Sequence, residues 1–310
     1  MTFTREKMQE ILPTLHKELQ TQELVTFEVL NPDLHTLYAG TEVSIEETHY
    51  MYRGYKAWVE LAELLKCKML TPQASTYPLV TLTFKKLVDT SFHTEVKTTE
   101  KYGTNSHFSH IHKMEEPAFF YYYSQALDNV KIAEKTRILN LGINRGDEFE
   151  VIKQKLDTHT YETIEFVGID HSQTAITRAR KLFPHKNFTF YAEDLNQIDT
   201  LKLEPFDLLI SIGTLQSPSI HFKPFFMKLV QAYLTKDAAI ILGFPNSRWV
   251  GGELLYGAKV PNYAMSELGH VLSDVIFCKK YLQQKKYRVT ITGKHYLFLT
   301  ATKIVSHGKT

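Results

Sequence analysis

"RILNLGINRGDEF", residues 137–149, is the stretch whose reading decides the fold. The apolar run Ile138-Leu139-Asn140-Leu141 passes into a glycine turn. The acids Asp147 and Glu148 after Gly146 suit the first turn of a helix, where the helix dipole favours negative charge. Strand, glycine turn and helix in this order build a ligand-holding corner at the carboxyl edge of an open α/β sheet. Asn140 stands where a carboxylate would serve a ligand, and Asn144 where a glycine would ease the turn.

Working outward from this corner, strands and helices alternate. A helix containing "AFFYYYSQALDNV" precedes it, and a helix through Val151, Ile152 and Leu156 follows. "IEFVGID" (164–170), "FTFYAED" (188–194), "FDLLISIG" (206–213) and "AAIILGF" (238–244) read as strands. Between them lie the helices "SQTAITRARKLF" (172–183), capped by Ser172, and "PFFMKLVQAYL" (224–234), with Pro224 in its first turn. A further helix, "SDVIFCKKYLQQKKY", precedes "YRVTITG" and "YLFLTATK", whose short connection allows a hairpin but no parallel crossover. Continuous apolar strands alternating with helices imply a sheet covered on both faces.

Upstream, the spacing predicts a helix over 4–20, with Pro13 in its first turn or at a kink, and another over 55–67 around Trp58, Leu61 and Leu65. Strands are expected at 24–30, 34–40 and 79–87 and around "KML". This small α+β unit ends near residue 90. The polar stretch that follows reads as a linker, so the expected domains are 1–105, accessory, and 106–310.

Composition sets limits. The 310 residues are 43% apolar and 23% charged, as in an ordinary globular protein. The net charge of +2 does not advertise nucleic acid. From His270 onward, however, eight Lys/Arg face one acid, Asp274: an RNA-facing surface or a solvated helix face. Cys67 and Cys278 are too few for a disulfide framework, a four-thiolate zinc site or a three-thiolate iron–sulfur centre. The opening MTFTREKMQE lacks the apolar core of a signal peptide, and no run of eighteen apolar residues exists. A cytoplasmic location without membrane attachment is the expectation.

The corner also selects its ligand. A dinucleotide site would show G-x-G-x-x-G with pyrophosphate at the helix start. Here the middle glycine is missing and two carboxylates sit where the phosphates would lie. A P-loop is excluded because no G-x-x-x-x-G-K-[ST] occurs. S-adenosylmethionine (SAM), free of phosphate, escapes that repulsion. Asp170, with His171 beside it, can accept from the ribose hydroxyls, and Asp194 from the adenine amino group. Leu195 offers a backbone N–H to a ring nitrogen.

These residues resemble a class I SAM-dependent methyltransferase over residues 136–303. The first motif of that family, acidic-x-Gly-x-Gly-x-Gly, reads here Asn140-x-Gly142-x-Asn144-x-Gly146. The resemblance implies a seven-stranded mostly parallel sheet with a C-terminal antiparallel hairpin, beside the small N-terminal α+β domain. It also implies that Gly142 and Gly146 make the turn, Asp170 binds ribose, Asp194 reads adenine, and Ser211 and Ile212 border the methionyl group. Asn144 tolerates positive φ, so the turn survives. Asn140 removes a charge that helps hold the cofactor's ammonium, and the job falls to another residue or binding weakens.

The acceptor is less marked. An Asn/Asp-Pro-Pro-aromatic motif after the fourth strand and a Pro-Cys nucleophile are both absent. The segment 243–267, with Asn246, Arg248, Trp249 and Tyr256, is either the acceptor pocket or a structural cover. His221, Arg248 and Tyr256 are the candidates for catalysis, with His221 a general base or a surface histidine. His107, His110 and His112 lack the carboxylates of a metal site, and no metal is expected. Tyr102, Gly103 and Phe108 could fold over the cofactor. RNA, such as tRNA or rRNA, and a small metabolite both remain open as acceptor. So does a non-catalytic scaffold that keeps the fold.

Overall fold

A computed structural model of the chain describes residues 1–88, 106–257 and 268–304, without the side chains of residues 107, 108 and 268–270. Most of the expected linker lies outside these residues, as do Tyr102 and Gly103. The chain divides into two compact units, Met1–Ser91 with Trp249–Tyr256, and Phe92–Arg248 with Gly257–Thr310.

In the first unit, β1 (Thr2–Phe3), α1 (Met8–Thr21) and β2 (Leu24–Leu30) are followed by β3 (Glu42–Ile45) and β4 (Thr48–Met51). Then come α2 (Tyr55–Leu64), β5 (Cys67–Met69), β6 (Gln73–Ala74) and β7 (Leu79–Lys86). The main sheet has the order β1-β2-β7-β5, with β6 also on β7. Ile11, Leu15 and Leu19 recur every four residues on α1 and are buried against it, with Trp58 and Leu61 of α2. Pro13 sits inside α1, beyond its first turn.

The expected strand at 34–40 does not form. Pro32–Leu34 makes a single helical turn. A separate hairpin, β3 with β4, follows instead.

The second unit begins with α3 (Pro117–Asn129), β8 (Arg137–Leu141), α4 (Asp147–Lys155), α5 (Thr158–Thr163) and β9 (Glu165–Asp170). It continues with α6 (Gln173–Leu182), β10 (Phe188–Ala192), β11 (Phe206–Ile212), α7 (Phe222–Ala232) and β12 (Leu234–Pro245). After the hairpin of β13 (Ser247–Val250) and β14 (Glu253–Tyr256) come α8 (Leu268–Gln284), β15 (Tyr287–Gly293) and β16 (Tyr296–Lys303). The seven-stranded sheet has the order β10-β9-β8-β11-β12-β16-β15. β16 pairs antiparallel with both neighbours, and the other pairings are parallel.

Alternate residues of these strands feed two cores, as the pleat requires. Leu139, Leu141, Val167, Ile169 and Leu209 pack with Phe226 of α7 and Val275 and Cys278 of α8. Ile138, Phe166, Leu208 and Ile210 pack with Tyr123 of α3, Phe149 of α4 and Ile176 of α6. The strand order runs outward in both directions from the β8–β11 pair. The carboxyl ends of these two strands therefore flank the crevice where open α/β sheets take their ligands. Among the described residues no helix is long and apolar enough to cross a membrane.

Candidate functional site

The turn after β8 has the backbone its sequence demands. Gly142, Asn144 and Gly146 all have positive φ, at 73°, 44° and 86°. A side chain on Gly142 would lie 1.9 Å from the Thr214 hydroxyl, and one on Gly146 would meet the Phe183 ring at 2.4 Å. Both glycines are thus required twice, by conformation and by close approach.

Asp170 ties this turn to the next strand. Its carboxylate is buried, accepting the Asn144 N–H on Oδ2 at 2.9 Å and the Ser172 N–H on Oδ1, also at 2.9 Å. His171, which is exposed, places Nδ1 3.4 Å from Oδ1. Each carboxylate oxygen has two lone pairs, so acceptor capacity remains for hydroxyl donors. Ser172 caps α6 by accepting the Ala175 N–H, as its position in the sequence indicates.

At the tip of β10, exposed Asp194 accepts from both the backbone N–H and the side-chain amide of Asn196, and Leu195 behind it is buried. At the β8–β11 pair, Asn140 lies beside Ile210, and Ser211 beside Leu141. Both polar side chains are buried, and neither Asn140 Nδ2 nor Ser211 Oγ finds a hydrogen-bond partner among the described residues. Two buried, unsatisfied polar atoms at adjacent strand ends cost free energy that a polar ligand recovers. The residues present therefore fit a polar, phosphate-free cofactor at this edge. Ile212 is also buried and belongs to the opposite core face from Ser211.

A depression beside the turn is lined by Lys113, Met114, Gly142, Asn144, Arg145 and Glu148, among others. Glu148, in the first turn of α4, is buried there. Burial pushes its carboxyl up to about 7 and Asp147 adds to the rise. Lys113, its own backbone N–H and the nearby Asn140 amide, though outside hydrogen-bond geometry, favour the charged form. Burial works against the Lys113 ammonium, but Tyr296, Glu148 and Asp147 outweigh it and hold its pKa above the ordinary lysine value. The Tyr123 hydroxyl donates to the Glu148 carbonyl at 3.2 Å. Arg145 Nε lies 3.4 Å from Asp147, and its Nη1 lies 3.0 Å from His112 Nε2. Sequence reasoning missed Glu148 and Lys113 as site residues, having read the acids here as support for the helix start and as a barrier to phosphate.

The acceptor candidates do not gather in one unit. Asn246 donates from its side chain to the Lys294 carbonyl at 3.3 Å, and Arg248 is half-buried. Both lie in the second unit, whereas Trp249 and Tyr256 belong to the first. There Glu63 accepts the Tyr256 N–H, and Lys68 pairs with Glu253 at 3.0 Å. The segment expected to be irregular over 243–267 is in part regular: the end of β12 and the β13–β14 hairpin occupy its first half. Residues 258–267, including Tyr263, lie outside the described residues.

His221 is exposed immediately before α7. His110 and His112 are exposed too, and the side chains of His107 and Phe108 are not among those described. Among the described residues no three His, Cys, Asp or Glu side chains form a metal-binding group.

A family model described as "Methyltransferase domain" matches residues 132–290, just over half the chain. No curated protein matches it. Among solved structures it is similar to magnesium protoporphyrin IX methyltransferase from Synechocystis PCC 6803 with bound SAM, at 15% identity, covering 63% of this chain and 85% of that one, with a TM-score of 0.39. It is similar also to precorrin-6y C5,15-methyltransferase from Geobacter metallireducens GS-15 (12% identity, 59% and 87% covered, TM-score 0.40). A third is the TehB-like SAM-dependent methyltransferase from Corynebacterium glutamicum ATCC 13032 (16% identity, 59% and 87% covered, TM-score 0.38). At such values it is the family match that carries weight.

Proposed function

Because the chain belongs to the methyltransferase-domain family and is a SAM-dependent methyltransferase, we propose that the ends of β8, β9, β10 and β11 hold its cofactor and that the second unit is the catalytic domain. The observation that carries this reading is two orphaned polar groups at the ends of neighbouring strands, Asn140 Nδ2 on one sheet face and Ser211 Oγ on the other, beside a turn held open by three residues with positive φ. Asp170 and His171 take the ribose and Asp194 and Leu195 the adenine. Gly142, Asn144 and Gly146 bring the backbone close, and Ser211 and Ile212 border the methionyl group. SAM supplies a methyl group on a sulfonium, ready for in-line displacement. The chain's own work is to orient that end and to keep the turn rigid, through the Asp170–Asn144 bond.

The acceptor is an RNA, such as tRNA or rRNA, or a small metabolite. The RNA reading draws on Lys280, Lys285, Lys286 and Arg288, all exposed along the end of α8 and the start of β15. Arg248, Trp249, Tyr256 and His221 stay candidates for acceptor chemistry, each within its own unit. Both thiols are buried and unpaired, which suits a reducing compartment such as the cytoplasm.

Calorimetric titration with SAM tests the cofactor reading: one site per chain is expected, and no measurable heat at millimolar SAM would end it. Asp170→Asn is expected to weaken SAM at least about tenfold. The asparagine is preferred to alanine because it keeps one acceptor oxygen and strands only one of the Asn144 and Ser172 N–H groups, whereas alanine would strand both and loosen the turn further. Wild-type affinity in Asp170→Asn would remove the ribose assignment.

A further inference from the structure

We propose that Glu148 supplies the carboxylate missing at Asn140, and that it pairs with the ammonium of the cofactor's amino-acid end. This rests on the SAM reading above and assigns one residue within it. In this assignment the acid stands on the helix that follows the strand and not on the strand itself. Glu148 stands in the first turn of α4, is buried, and lines the depression together with Gly142 and Asn144, the turn against which the cofactor is placed. Asn140 is buried at the strand end with an unpartnered amide, so this position offers a dipole where a full charge is wanted. Lys113 lines the same depression. Glu148 and Lys113 thus present one anionic and one cationic group to the same small volume, which matches a zwitterion better than a phosphate.

The pairing makes binding proton-linked. The charged groups facing Glu148 are Lys113 from the segment before α3 and Asp147 from its own helix. Tyr123 of α3 meets its backbone, Tyr296 of β16 faces Lys113, Arg145 faces Asp147, and His112 faces Arg145. In the free protein burial keeps part of the Glu148 population protonated near neutrality. An arriving ammonium favours the carboxylate and expels that proton. Affinity therefore rises with pH up to the free-state pKa of Glu148 and levels off above it.

The probes are S-adenosylhomocysteine, which carries the amino-acid end, and 5′-methylthioadenosine, which lacks it. Titration of the full-length protein between about pH 5.5 and about pH 7.5, in buffers of different ionisation enthalpy, should show proton release with the first probe and none with the second. Glu148→Gln should weaken S-adenosylhomocysteine about tenfold or more and flatten its pH dependence, with 5′-methylthioadenosine unchanged. Returning the charge to the strand, in the double variant Asn140→Asp/Glu148→Gln, should recover affinity. Carbon-detected NMR of the wild type should show one glutamate titrating near neutrality and shifting downward on saturation.

Equal binding of S-adenosylhomocysteine by wild type and Glu148→Gln overturns the proposal. So does equal weakening of both probes, which would mean a damaged turn, and so does a glutamate titration that saturation leaves unmoved. If neither probe binds the wild type, the cofactor reading itself falls, and this assignment with it.

Discussion

At the scale of single residues, Glu148 is held at an energetic cost. Its folded-state pKa, near 7, lies above the ordinary glutamate value of 4.5. A carboxyl raised by folding contributes most below its unfolded pKa and loses that contribution as pH rises through the folded one. The window here runs from about pH 4.5 to about pH 7, and the loss is on the order of 3 kcal/mol at most. Glu148→Gln is therefore expected to raise the melting temperature of the cofactor-free protein at pH 7 and above, with little change near pH 4.5. Thermal melts at the two pH values check this, and a lower melting temperature at both would show a group that stabilises the fold. Asn144 was legible at this scale, because asparagine enters positive φ more readily than most residues. Glu148 was not. Nothing in a glutamate at a helix start tells whether it faces water or a crevice, and Lys113, which faces it, is remote in sequence.

At the scale of elements, the strands and helices of the large sheet were readable because each is apolar in a pattern that its burial enforces. Within 164–170 and 206–212, Phe166-Val167 and Leu208-Leu209-Ile210 are unbroken apolar runs covered on both faces. The failures are turns. The β3–β4 hairpin reverses at Glu46-Glu47, both with positive φ, where Asn-Gly would have been the recognisable signature. The β13–β14 hairpin reverses at Gly251-Gly252, also both positive, and there the signal was present in the sequence. The stretch 34–40 had β-rich composition but no place in a sheet. A testable element is α6, whose first turn depends on the Ser172 hydroxyl accepting the Ala175 N–H. Ser172→Ala should cost about 1 kcal/mol in denaturant unfolding. The Asp170–Ser172 backbone bond survives that change, so cofactor affinity should hold, and its loss would mean that the hydroxyl has a further role.

At the scale of the whole molecule, the near-neutral net charge conceals a local excess of cations. Lys280, Lys285, Lys286 and Arg288 are exposed on one stretch of the second unit. If RNA is the acceptor, the logarithm of the affinity should fall linearly with the logarithm of salt concentration. Replacing these four by alanine should lower the slope by roughly 0.7 to 0.9 for each phosphate that is no longer neutralised. Filter-binding with tRNA over a salt series reads it directly, and an unchanged slope would turn attention to small molecules. The ordered strand ends, the basis of the proposed cofactor site, were legible in the sequence and all belong to the second unit. The sequence could not show that Trp249–Tyr256 joins the first unit, because that grouping rests on pairings such as Lys68 with Glu253.

That grouping has a spectroscopic consequence. Trp58 and Trp249 are the only two indoles in the chain, and both reside in the first unit. Emission excited selectively from tryptophan therefore arises from residues of the first unit, and the residues assigned to the cofactor include no tryptophan. A change in tryptophan emission on titrating S-adenosylhomocysteine would show that binding is felt by a residue of the first unit.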